Sequence, residues 1–346
     1  MRFNKKLMAE MPKAYSVCPV NFAGQDRFIV ATEKVGPINL FDVNGELLET
    51  IMDFEGGVMS IVPVPGEDES FMTTYKFFSP NDGKDAQIVH IKKVDGKWQM
   101  KTLADIPFVH RFEILSAEGK NYLIACTIKT KFDFKNDWNH PGKILVAELP
   151  EDLSPYNKEN QIEFKVLKEG LMKNHGFYKV REEEELAIVT AVEGVFKVFP
   201  PKGGSDWEVR KVLDQSTSDA IYFDLDGDGK KELVTFSEFH GDHLDIYKEV
   251  SEDEFEKVYS YKKPLKFLHA LFIGQVDGKP VLFVGHREGA RDLFALTYNK
   301  ESDTYDRTDI DSDVGVANIN GLYVDGKLRI VGAHRETDQA CLYELV

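Results

Sequence analysis

The sequence predicts an all-β protein, a seven-bladed β-propeller of four-stranded blades, and three observations carry that prediction. A hairpin segment recurs at a spacing of 48 residues, weaker copies fill the chain upstream, and the two chain ends complement one another. The segment is VDGKPVLFVGHRE at 276–288 and VDGKLRIVGAHRE at 324–336, so that in both copies the turn Asp (Asp277, Asp325) precedes the final His (His286, His334) by nine positions. Upstream, matching second strands read RFIVATEK, SFMTTYK, YLIACTIK, LAIVTAVE and ELVTFSE, and third strands read INLFDV, AQIVHIKK, KILVAEL, VFKVF and HLDIYKE. Seven such units in 346 residues give a period of about 49, which suits propeller blades of four strands.

Taken in order, the blades are expected at 14–52, 57–106, 108–169, 171–214, 217–263, 265–311 and 314–346. The last stops after its third strand, while residues 2–11 resemble the fourth strands WQMKTLADI and WEVRKVLDQ. The N-terminus is therefore expected to supply the missing outer strand, which also protects a sheet edge. The charged run 181–185 reads as a turn between strands, and 152–160 as a loop insertion. With 24 Phe and 13 Tyr, the composition favours strands over helices.

Composition also limits function. A net charge of −16 argues against nucleic acid or an anionic membrane as partner. The first residues lack the apolar stretch of a signal peptide, and no apolar run approaches the length of a membrane helix. The three cysteines, Cys18, Cys126 and Cys341, are scattered and odd in number, which is no disulfide framework. A cytoplasmic location is the expectation.

Loop 224–232, DLDGDGKKE, alternates Asp224, Asp226 and Asp228, as oxygen ligands must to wrap a hard cation. The Lys230 carbonyl and Glu232 would complete a structural calcium site. It is not an EF-hand, because Thr235 stands where the bidentate Glu is needed. The competing reading is a polar Asp/Gly turn. In blades 6 and 7 the corresponding loops, GQVDG and YVDG, hold too few carboxylates for a cation.

The nine histidines fall unevenly on the blades. His110, His175 and His269 open first strands, where blade 5 has Asp219 and blade 7 has Asn318 or a neighbour. His286 and His334 close second strands, and His240 and His243 follow Glu238 at the same place in blade 5. In a propeller these places lie on one face, so seven histidines are expected there. His90 reads as an ordinary strand residue, and His140 lies in an insert, KTKFDFKNDWNHPGK, that could cover the channel. Rim imidazoles can ligate a divalent transition metal or act as bases near neutral pH. Arg287 and Arg335 could hold carboxylate or sugar oxygens as bidentate donors. The alternative is that the repeated His-Arg-Glu forms ion pairs between blades.

The run HALFIGQVDGKPVLFVGHRE (269–288), with DLDGDGKKELV in the neighbouring blade, resembles FG-GAP/VCBS-type propellers of the kind found in fungal aldos-2-ulose dehydratase. The matching positions are His269, Ala270, Leu271, Gly285 and Arg287. The resemblance implies carbohydrate chemistry: dehydration, β-elimination or isomerisation of a keto-sugar. His175 or His269 would be the base, Arg287 and Arg335 or a metal would stabilise the enolate oxygen, and Glu238 or His286 would be the acid. His110, His334, His240 and Asp219 would hold substrate or metal. The competing class is a non-catalytic propeller that binds a protein or glycan. Such a platform should display aromatic residues, yet Trp98 and Trp207 fall at fourth-strand positions and only Trp138 in the insert is a rim candidate.

Overall fold

The computed structural model describes residues 1–181 and 184–346; the middle of the charged run at 181–185 therefore lies outside the described residues. Among those described, every regular element is a strand, and the strands form seven four-stranded antiparallel sheets. Six sheets take four consecutive strands each. The seventh takes Val316–Val324, Lys327–His334 and Gln339–Leu345, then adds Phe3–Glu10 as its outer strand. That strand runs antiparallel to the last one, from Phe3 opposite Leu345 to Glu10 opposite Gln339. The N-terminal closure expected from the sequence is thus present.

The repeated VDGK is explained by its turn. Asp277 and Gly278 have φ of 51° and 74°, and Asp325 and Gly326 have 50° and 76°. Two successive positive φ values define the two-residue hairpin turn whose twist matches that of the flanking strands, and Asp-Gly is among its best sequences. Val276 consequently pairs with Lys279 and Val324 with Lys327.

The chain divides into two compact units. One comprises 1–54 and 219–346, and holds blades 5, 6, 7 and 1. Its core lies between sheet faces, where Val281 and Phe283 of blade 6 pack with Leu328 and Ile330 of blade 7. Farther along, Val331 and Leu342 of blade 7 pack with Phe28 and Phe41 of blade 1. The other unit, 55–218, holds blades 2, 3 and 4, and its core joins Ile124 and Val146 to Val189 and Val198. In both, the apolar residues run along second and third strands, which are buried on both sides and so read as continuous apolar stretches.

Candidate functional site

The site is built by a repeated backbone irregularity. In blades 1, 3, 6 and 7 the first strand carries an extra residue near its start, between Ala14 and Ser16, Val109 and Arg111, Leu268 and Ala270, and Val316 and Asn318. A bulge of this kind re-aims one side chain relative to the ladder. The residues so placed are Tyr15, His110, His269 and Ala317. His110 and His269 are legible in the sequence by residue type, whereas Tyr15, at the same place, carries no such signal.

Within the first unit these bulges are tied together. The His269 Nδ1–H donates to the Ala317 carbonyl, which accepts only. That fixes the tautomer, so Nε2 is the acceptor and receives the Tyr15 hydroxyl proton at 3.2 Å. Asn318 Nδ2 in turn donates to the Tyr15 carbonyl at 2.8 Å. Blade 6 thereby holds blade 7, blade 7 holds blade 1, and blade 1 returns to blade 6. Tyr15 and His269 are each 3% exposed. Beside them the half-buried His240 is stacked between Phe239 and Phe267, with ring centroids 4.0 and 4.2 Å away, and lies 5.5 Å from His269. His240 sits in a tight turn: a Cβ on Gly241 would come within 2.1 Å of the Glu238 nitrogen. Glu238 itself is exposed, and His243 is exposed beside Asp242. Asp219 begins the first strand of blade 5, opposite Phe236.

The second unit has its own pair. His110 lies against His175 with ring centroids 4.6 Å apart and the rings tilted by 32°, and it meets Phe77 edge-on at 5.1 Å. His175 Nδ1 faces the Ser218 hydroxyl at 3.4 Å.

The His-Arg-Glu repeats are bound into the scaffold. His286 Nδ1 donates to the Glu288 carbonyl at 2.9 Å, and its Nε2 accepts the Asp292 N–H at 3.1 Å. His334 is fully buried; its Nε2 bonds the Tyr343 hydroxyl at 2.9 Å, and Tyr343 donates to Asp311 at 2.7 Å. Burial, aided by the charge of Lys5, lowers the His334 pKa to about 3. Arg287 donates twice to Glu336, at 3.0 and 2.7 Å, while Arg335 donates to Glu336 at 3.0 Å and to Glu33. Arg287 also covers the Phe267 ring at 4.5 Å. Inter-blade ion pairing, one of the two readings of the repeat, describes these arginines. His90 is buried on the third strand of blade 2, bonded to Ser70 at 2.7 Å; burial lowers its pKa to about 4.

Metal-binding capacity follows from these geometries. His269 could offer Nε2 only by giving up the Tyr15 hydrogen bond, and both nitrogens of His286 are used. In the insert of blade 3, by contrast, Asp133, Asp137 and His140 each bring one donor atom within 4.8 Å of the others. His140 Nε2 lies 2.9 Å from Asp133 and 3.3 Å from Asp137. Trp138 of the same insert is half-buried, with the Lys129 ammonium over its ring at 4.0 Å. In loop 224–232, Asp224 accepts the Gly227 and Gly229 N–H groups at 2.8 and 3.0 Å, and Asp228 accepts that of Lys230 at 2.9 Å. The Lys248 ammonium, which sequence reading did not foresee, contacts Asp226, Asp228 at 2.6 Å and Glu232 at 3.5 Å. Its strand position, directly opposite Glu232, was the signal that could have revealed it.

The chain is similar in structure to the β-propeller domain of Cps50 (Swd1) from Myceliophteria thermophila, with a TM-score of 0.63 over 99% of this chain and 100% of that one. The fold is a seven-bladed β-propeller. Identity between the two is 8%, so the likeness concerns the fold alone. No family model matches the chain, and no curated protein matches it.

Proposed function

We propose that this propeller is a lyase or isomerase that moves a proton next to the carbonyl of a keto-sugar or related polyol. The observation that carries the reading is the chain from Tyr15 through His269 to the Ala317 carbonyl, a hydroxyl hydrogen-bonded to an imidazole whose tautomer is fixed. Such a pair can serve as base and then as acid. The Tyr15 oxygen takes the proton α to the substrate carbonyl while its own proton passes to His269 Nε2. The imidazolium then returns that proton through Tyr15 to the departing hydroxyl, which leaves as water. Return to a different carbon would give isomerisation. Phe239, His240 and Phe267 form an aromatic stack beside this pair. A divalent metal, as the dehydratase-like resemblance implies, would add charge stabilisation at the enolate oxygen.

A second reading, a scaffold that binds a protein or glycan, is favoured by one observation. Arg287 and Arg335 spend their donors on Glu336 and Glu33 of the next blade, and His286 and His334 spend ring nitrogens on partners within their own blades. The test is loss of water from a panel of keto-sugars, followed by absorbance of the conjugated product, with wild type, Tyr15→Phe and His269→Gln. The lyase reading expects turnover that falls at least about 100-fold in both variants, the usual contribution of a positioned acid–base group. Turnover unaffected by both variants would refute the assignment. Absence of turnover across the panel, with glycan or protein binding retained, would establish the scaffold reading.

A further inference from the structure

We infer that loop 224–232 is closed by the protein's own cation, the ammonium of Lys248, and takes no calcium while that lysine is present. The DLDGDGKKE sequence asks for a positive charge: Asp224, Asp226, Asp228 and Glu232 lie within nine residues. Backbone N–H groups satisfy only part of that set. Asp224 takes two, Asp226 and Asp228 take one each, and Glu232 takes that of Leu225 at 2.6 Å. The oxygens left over converge on one point, and Lys248 Nζ occupies it, touching Asp226, Asp228 and Glu232. The ammonium contacts Asp226 and Asp228 closely, and Glu232 completes the ring as an ion-pair neighbour at 3.5 Å.

The lysine is there by construction. Lys248 stands directly across the ladder from Glu232 on the adjacent strand, His243–Ser251, and the side chain is 21% exposed. A cross-strand partner reaches its neighbour from any register-correct fold of the hairpin. Calcium demands six to eight oxygens around it. Here it would have to share three carboxylates with a cation already in contact with them, and like charges at that range repel strongly in a half-buried setting. The residues therefore fit an ammonium better than a divalent ion. Removing the lysine should leave a loop of four carboxylates with the alternating spacing that calcium requires.

The experiment is equilibrium dialysis with calcium, after removal of metals by EDTA, together with thermal unfolding with and without millimolar calcium. Wild type, Lys248→Gln and Lys248→Arg are compared. Wild type is expected to retain no stoichiometric calcium and to show an unchanged Tm. Lys248→Gln is expected to lose about 3 °C in EDTA, the shift for a few charge-assisted contacts in a chain this long, and to recover most of that loss on binding one calcium ion per chain. Lys248→Arg, which keeps the charge, should remain calcium-independent. Wild type that binds one calcium and gains Tm would overturn the inference. So would a Lys248→Gln protein that holds its Tm in EDTA, or one whose loss calcium does not restore. If Lys248→Gln does not fold, the wild-type dialysis and the Arg variant still decide between ammonium and metal.

Discussion

Lowering the pH from 7 to 5 should weaken this fold through His334 in a calculable way. Tyr343 donates its proton to Asp311, so the Tyr343 oxygen must accept the Nε2–H of His334. The Nδ1 atom is then the basic nitrogen, and it is buried with no hydrogen-bond partner among the described residues. A second proton there would place a charge in the core with nothing to receive it, and burial lowers the folded pKa to about 3. An unfolded chain has its histidines near 6.5. Between these values the unfolded state holds a proton that the folded state refuses, so stability rises with pH across the window. It is fully present above pH 6.5 and is lost as the pH falls toward 3. At pH 5 the loss from this residue is 1.5 pH units times 1.36 kcal/mol, or about 2 kcal/mol. At about 2.1 cal/mol/K of unfolding entropy per residue, 346 residues translate this into a Tm fall of about 3 °C. Calorimetry at the two pH values on wild type and His334→Gln checks it, because the Gln amide can still donate to Tyr343 but cannot titrate. Wild type should lose about 3 °C more than the variant. Parallel losses in the two proteins would show that His334 titrates normally in the folded state and would refute the reasoning.

Two further outcomes follow from the same geometry. Glu336→Gln removes the charge that receives three hydrogen bonds from Arg287 and Arg335; since the groups are only partly exposed and Arg335 keeps Glu33, the expected cost is about 2 kcal/mol, read as a Tm fall of about 3 °C. A loss below about 0.5 kcal/mol would place the network among inert surface pairs. Gly241→Ala would drive a Cβ to 2.1 Å from the Glu238 nitrogen and 2.2 Å from the Ser237 oxygen. The turn carrying His240 must then shift, and the Phe239–His240–Phe267 stack should be lost, seen as changed aromatic side-chain resonances; an unchanged spectrum would contradict the turn's role.

Much of the architecture was legible in the chain. The Asp-Gly turns at 277–278 and 325–326, the apolar second and third strands, and the kinship of residues 3–10 to other fourth strands are local properties, set by backbone sterics and by burial on both sheet faces. His110 and His269 could be placed at first-strand openings for the same reason. What the sequence could not decide is where polar atoms find partners, because partners come from other strands and other blades. Arg287 reads as a substrate fork until Glu336, 49 residues away, is seen to hold it. His334 reads as a rim ligand until Tyr343 and burial make it an inert core residue. Tyr15 looks ordinary until the bulge and a separation of 254 residues bring its hydroxyl to His269. Strand pattern is written residue by residue, whereas the protonation and reach of a side chain depend on its neighbours in space, and only the tertiary structure supplies those.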